Sequence, residues 1–432
     1  MRKPILAIAS IAALAASLAV AGAATGSTSA VSTLPSSSCG PVFYKGDASK
    51  PDVLIASDLP LQGAGRAQQL SMVKAIQYVL EKEYEFKAGK LHVGYQSCDD
   101  STAQQGGWAQ EKCTANGRAY ANDKSVLGVL GTFNSGCAKL IVPIINRAPG
   151  GPVAMLSSAN TNVGLTHYAP WNDPGEPNIY YPTKVRNYAR VATSDDYQGP
   201  FAADILKKLK KTNVFILHDN QTFGKGVANA FRTRAQKLNM KVAGFEPWDS
   251  KAASYEAIAE RIKASGANSV YLGGIVCNNG AKLIKDLGAV LGKSVQLAAP
   301  DGFTPYSATA AAGAAAQGML ISYAGVPLSK LGPTGKKFMA DFGKYQGKKV
   351  TDPYGVYAAQ AADIMLGAIA RAGNNRIAVV KAMMATKVKD GIMGTFQFDN
   401  NGDICPFKTI SFDRLVGTSG KYFDVVQQKA SC

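Results

Sequence analysis

Short apolar runs alternate with amphipathic helical stretches along this chain, and the whole series occurs twice. Val53-Leu54-Ile55-Ala56-Ser57-Asp58 reads as a buried strand, and Ala67 to Glu83 as a helix with Leu70, Val73, Ile76, Val79 and Leu80 on one face. Further strands are predicted from Leu91 to Tyr95, Val126 to Leu130 and Val153 to Leu156, with helices over 103–122 and 138–147 between them. The second series predicts strands at 213–217, 241–245, 269–272 and 295–298, separated by helices at 226–238, 255–265 and 281–291. Such alternation builds βαβ units on a parallel sheet.

The two series also resemble each other in sequence. Asp52-Val-Leu-Ile-Ala-Ser-Asp58 pairs with Asn213-Val-Phe-Ile-Leu-His-Asp219, and Asn134-Ser-Gly-Cys-Ala-Lys-Leu-Ile141 with Asn278-Asn-Gly-Ala-Lys-Leu-Ile284. Two such matches in the same order point to two copies of one doubly wound unit, which a length of 432 residues accommodates. Ligands of open α/β sheets bind beyond the carboxyl ends of the strands, so two facing lobes form a cleft able to close on a small molecule.

Arg2 and Lys3 followed by an apolar run from Ile5 to Val20 and the small residues Ala21-Gly22-Ala23-Ala24 predict a signal peptide over 1–24, hence an exported chain. The Ser/Thr-rich residues that follow predict a flexible tether over 25–50. Seven cysteines (39, 98, 113, 137, 277, 405, 432) then enter an oxidising compartment, where disulfides persist; the odd number leaves one over, and Cys39 is a candidate for lipidation. With three scattered histidines and no C-x-x-C, no metal site or other cofactor is expected. The formal charge of +17 is spread over helix faces without an aromatic-interleaved basic stripe, which argues against a nucleic-acid partner.

An enzyme finds little support. Gly288-Ala-Val-Leu-Gly292-Lys293-Ser294 is one residue short of a phosphate loop and reads as a helix end, and no G-x-S-x-G or H-E-x-x-H occurs.

From about Asp52 onward the chain resembles the leucine/isoleucine/valine-binding proteins, the type I periplasmic solute receptors of ABC importers. The resemblance rests on ordered segments that include VLIASDLPLQG, VLGVLGTFNSGCA, MLSSANTNVGLT, RVATSDDYQGP, VFILHDNQTFGKGVA and DPYGVYAAQAADIM. It implies an α/β fold of two doubly wound parallel-sheet lobes joined by a three-crossing hinge. Lobe 1 would comprise 51–194 and 323–407, and lobe 2 would comprise 195–322 and 408–432. The implied function is capture of an amino-acid-like ligand by a monomer and delivery to a membrane permease. The alternative is a cell-surface receptor or adhesin that uses the same fold without transport.

The resemblance also assigns site residues. Ser135 follows a strand and opens a helix, where a hydroxyl and free N–H groups suit a ligand carboxylate, although a plain helix cap would look the same. Ala159, Asn160 and Thr161 occupy the turn that in this family contacts both ends of a zwitterion. Asp301 stands where the family has an acid for the ligand ammonium; an ordinary Asp-Gly turn is the competing reading. Asp195 and Tyr197 lie where the chain first crosses between lobes, and Phe223 matches an aromatic that packs on the ligand. Gln62, Arg66, Tyr354 and Tyr357 are further cleft candidates.

Departures from the family pattern bear on the ligand. Ile275 replaces a frequent aromatic, Asp301 is a methylene shorter than a glutamate, and a Pro/Tyr-rich stretch runs from His167 to Arg186. The family's disulfide suggests Cys98–Cys137, with Cys113 competing for either partner, while Cys405 and Cys432 flank the final segment.

Overall fold

Strand β1 (Val53–Leu59) is buried along its whole length. A strand covered on both faces needs helices on both sides of its sheet, and this governs the first lobe. The computed structural model describes residues 33–45 and 50–432; the expected signal peptide lies outside them. β1 sits between β2 (Leu91–Asp99) and β3 (Val126–Gly131), with β4 (Ala154–Ser157) and β5 (Tyr188–Arg190) beyond β3, all parallel. Helices α1 (Arg66–Tyr78) and α9 (Pro353–Ala372) cover one face around Ile55, Tyr95, Met72, Ile76, Tyr357 and Ile364. Helices α2 (Gln110–Asn122) and α3 (Ser135–Asn146) cover the other around Leu54, Val129, Tyr120 and Ile141.

The second sheet has seven strands in the order β7 (Lys241–Pro247), β6 (Asn213–His218), β8 (Ser269–Gly273), β9 (Gln296–Ala299), β10 (Leu320–Tyr323), β11 (Phe407–Val416) and β12 (Ser419–Lys429). The first five are parallel, and the last two close it as an antiparallel hairpin. Helices α4 (Asp195–Lys208) and α5 (Thr222–Lys237) cover one face; α6 (Glu256–Ala264) and α7 (Gly280–Leu291) cover the other. The chain leaves the first sheet after β5 and returns to its core after β10 with α8 (Pro333–Gln346), α9 and α10 (Arg376–Met384). It crosses a third time at Cys405–Phe407 into β11.

Three expectations need correction. The helix predicted over 103–122 starts only at Gln110, because Gly106 and Gly107, with Gly106 at φ +64°, turn a small hairpin between Ser101–Thr102 and Gly107–Trp108. Glycine also costs a helix interior about 1 kcal/mol. Residues 33–45 are no tether: Gly40 N–H donates to Ser97 O (2.8 Å), Phe43 N–H to Tyr95 O (2.7 Å), and Leu34 is buried. This strap covers the free edge of β2, a row of groups that would otherwise invite pairing with another chain. Finally, the disulfides are Cys39–Cys98, Cys113–Cys137 and Cys405–Cys432, with Cys277 free, in place of Cys98–Cys137. The strap places Cys39 against the end of β2, and α2 packs on α3; chain proximity rather than spacing chose the partners. Bound to Cys98, Cys39 has no thiol left for a lipid.

Candidate functional site

The carboxyl ends of both sheets face a small cavity of about 20 Å³, to which the first lobe gives Phe133, Asn134, Ser135 and Ala159 and the second gives Phe223, Ile275, Asp301 and Gly302. That is room for about one water molecule, so the lobes are closed on each other here.

On the first side, α3 starts at Ser135 and Asn134, the residue before it, makes no side-chain cap. The first N–H groups of a helix have no partners within it and carry its positive dipole end, so they favour an anion. Ser135 is buried, and its hydroxyl accepts from the Asn162 N–H at 3.4 Å. The turn after β4 is held by the Ser157 hydroxyl, which accepts from the N–H groups of Ala159 (3.1 Å) and Asn160 (2.8 Å).

Carboxylates dominate the second side. Asp301 follows β9; its Oδ1 accepts from Gln198 Nε2 at 2.8 Å and its Oδ2 from the hydroxyl of Tyr354, which reaches across from α9. Burial pushes its carboxyl up to about 7, against the pull of the Tyr354 hydrogen bond. Asp195, the first residue of α4, is fully buried, and neither carboxylate oxygen has a donor among the described residues. Burial, and then the charge of Asp301, raises its carboxyl well above the usual range. Thr161 Oγ1, Gln198 Oε1, Tyr271 OH and Tyr357 OH are likewise buried without partners among the described residues. The Tyr271 phenol is held well above its usual range by burial and then by the charges of Asp195 and Asp301. Each such atom costs about 1–3 kcal/mol.

Of the residues singled out from the sequence, Ser135, Ala159, Phe223 and Asp301 line the cavity together. Asp195 and Thr161 stand next to each other behind it, with Asp195 N–H donating to Thr161 O at 2.8 Å. Asn160 serves the scaffold: its amide donates to Phe133 O (2.9 Å) and its Oδ1 accepts from Tyr188 OH (3.1 Å), so both ends are engaged inside the lobe. Tyr197 is half-buried on α4, edge-on to Phe201 and near Lys408, away from the cavity. Gln62 holds the 99–101 turn through Asp99 (2.8 Å) and Ser101 O (3.0 Å), and Arg66 is exposed. Tyr354 meets Asp301 directly, with Tyr357 packed behind it. Gln198 and Tyr271 were missed, although Gln198 lies three residues after Asp195 and thus on the same helix face.

The hinge beside this site is a buried ion network. Arg190 donates to Asp403 (2.5 Å), Asn162 O (2.7 Å) and the Thr166 hydroxyl (2.6 Å). His167 bridges Asp403 (3.0 Å) and Asp196 (3.1 Å), which outweigh its burial and raise it to about 9. The Pro/Tyr-rich stretch packs through Tyr181 OH, which donates to Leu165 O (2.6 Å), and through the Lys139–Glu176 ion pair (2.5 Å).

Residues 52–404 match the family model described as periplasmic binding protein. The chain belongs to this family. Over 231 residues it is 30% identical to the Leu/Ile/Val-binding protein of Escherichia coli K12, a match that covers 52% of this chain and 59% of that relative. Among solved structures, the leucine binding protein LivK of Thermotoga maritima superposes with a TM-score of 0.74 at 21% identity over 87% of this chain and 98% of the other. An ABC-transporter solute-binding protein of Rhodopseudomonas palustris, in complex with benzoate, superposes with a TM-score of 0.72 at 16% identity over 88% and 98%. At these identities the structures establish the shared fold, and the family match makes this chain a periplasmic binding protein; the match spans less than two thirds of the length of the first curated relatives. Family membership implies an exported binding protein, and no helix among the described residues is long and apolar enough to cross a membrane.

Proposed function

We propose that this binding protein captures a small zwitterion, an amino acid or a close amine or amide relative, and delivers it as a monomer to an ABC permease by closing its two lobes. The observation that carries the reading is the pair Asp195 and Asp301, buried without a basic partner in contact and set across the cleft from the open N-terminus of α3 at Ser135. An ammonium group supplies the donors that Asp195 lacks and a positive charge for Asp301, whose oxygens already accept from Gln198 and Tyr354, and a carboxylate accepts from Ser135 and the helix end. Thr161 and the backbone at Ala159 complete the zwitterion's contacts, while Phe133, Phe223 and Ile275 wall an apolar side chain. The cavity of about 20 Å³ is too small for an amino acid, so entry requires the hinge to open and release requires it to open again.

Calorimetry on the mature chain, stripped of co-purified solute, against amino acids, amides, polyamines and aromatic acids tests the reading. A zwitterionic ligand is expected, with Asp301→Asn weakening it by more than tenfold, a loss above about 1.4 kcal/mol. Binding of aromatic acids alone, the ligand type seen in the Rhodopseudomonas complex, would remove the ammonium role from Asp301.

A further inference from the structure

A second pair of buried acids lies outside the cleft cavity. Asp58, near the end of β1, and Asp100, just past β2, flank the Cys113–Cys137 disulfide between α2 and α3. One ligand atom from each of Asp58, Asp100, Cys113 and Cys137 lies within 4.8 Å of all the others, and all four residues are buried. Asp58 is oriented by Asn116 Nδ2 (2.9 Å) and Tyr120 OH (2.5 Å), which donate to one carboxylate oxygen, while the other lies 3.6 Å from Cys137 Sγ. Asp100 is fully buried, and neither of its carboxylate oxygens has a hydrogen-bond partner among the described residues. Two carboxyls held together out of water repel once ionised, and nothing in the solute cleft uses them.

We propose that these four side chains form a redox-gated site for one soft divalent cation of the zinc class, available once a dithiol reductant has opened Cys113–Cys137. In the opening step the reductant's two thiols give two electrons and two protons; the protein S–S bond breaks into two thiols, and the reductant leaves as its own disulfide. The cation then displaces the thiol protons and the carboxyl protons into solvent and is bound by two sulfurs and two oxygens. A tetrahedral S₂O₂ shell with metal–sulfur distances of about 2.3 Å and metal–oxygen distances of about 2.0 Å has ligand–ligand edges of roughly 3.3–3.8 Å, which these side chains reach with small movements. Asn116 and Tyr120 orient Asp58 as outer-shell partners orient metal ligands. Disulfide and cation exclude each other, so occupancy reports the redox state of the first lobe.

The test uses the full mature chain, reduced with a dithiol, desalted without oxygen and titrated with Co²⁺. One equivalent should produce a thiolate-to-cobalt charge-transfer band, and the oxidised chain should produce none. Asp100→Asn should weaken Co²⁺ at least tenfold, whereas Cys277→Ser should leave it unchanged. A readout on the unaltered chain guards against misfolded variants: bound Zn²⁺ should protect Cys113 and Cys137 from alkylation and leave Cys277 reactive. Absence of the band in the reduced chain, a band indifferent to Asp100→Asn, or protection of other cysteines instead would overturn the site.

Discussion

Asp58 and Asp219 end the equivalent first strands of the two sheets, and burial pushes both carboxyls up to about 6, yet their surroundings differ. Asp219 is satisfied within its own lobe: it accepts from the N–H groups of Gln221 (3.0 Å) and Ile275 (3.1 Å) and from Asn278 Nδ2 (2.7 Å). Asp58 faces Asp100, a second acid with no donor among the described residues. The matched helix starts diverge in the same way. At α7, Asn278 turns back to Asp219, and Asn279, at φ +61°, donates to Tyr255 OH (3.0 Å). At α3, Asn134 makes no cap, and the helix end faces the cavity. The two lobes thus share one framework, and a few polar residues tie the helix start of one copy inward while that of the other faces the cavity.

The largest effect expected from breaking this comparison is Asp219→Ala. It strands two backbone donors and one amide, and should cost about 2–4 kcal/mol in denaturant unfolding, against less than about 1 kcal/mol for Asp58→Asn, which also relieves the repulsion from Asp100. Equal costs would dissolve the distinction between the two acids.

The pH dependence sharpens it next. Asp58, Asp219 and Asp301 bind protons more tightly in the folded chain than in the unfolded one. Their stabilisation is complete below about pH 4 and is lost as pH rises through about 6 to 7. His167, raised to about 9, has the same sign: its contribution is present below about pH 6.5 and disappears as pH passes 9. Thermal melts should therefore drop from pH 5 to pH 9 in two stages, with Asp58→Asn flattening the first and His167→Gln the second. A melt that rises across that range would contradict the assigned environments.

The smallest effect is expected at the open helix end. Ser135→Ala should weaken a carboxylate-bearing solute about three- to tenfold with unchanged stability. Asn278→Ala should do the reverse, lowering stability by about 1 kcal/mol without touching affinity; calorimetry and unfolding on both variants separate the two roles.

Much of this was legible beforehand, because strand ends and helix starts are local events. The apolar alternation located four parallel strands of each sheet but not the closing hairpin of β11 and β12, and Ser135, Ala159, Phe223 and Asp301 fall at strand-to-helix turns that a doubly wound sheet gathers at one edge. Asn160 and Tyr197 also fall at such turns, yet their side chains are engaged elsewhere: a turn places a residue near the cleft, while the direction of its side chain depends on its packing partners, Phe133 and Tyr188 for Asn160 and Phe201 for Tyr197.

By itself, then, the sequence determined two parallel-sheet lobes and the strand-to-helix turns that line the cavity between them, since hydrophobic period and turn chemistry act over a few residues. Only the tertiary structure decided which groups meet. Tyr354 reaches Asp301 from 53 residues away, Cys39 finds Cys98 across a separation of 59, and the charge of Asp301 helps to raise the carboxyl of Asp195. Such pairings depend on distance in space and on the exclusion of water, and neither is written in the order of the residues.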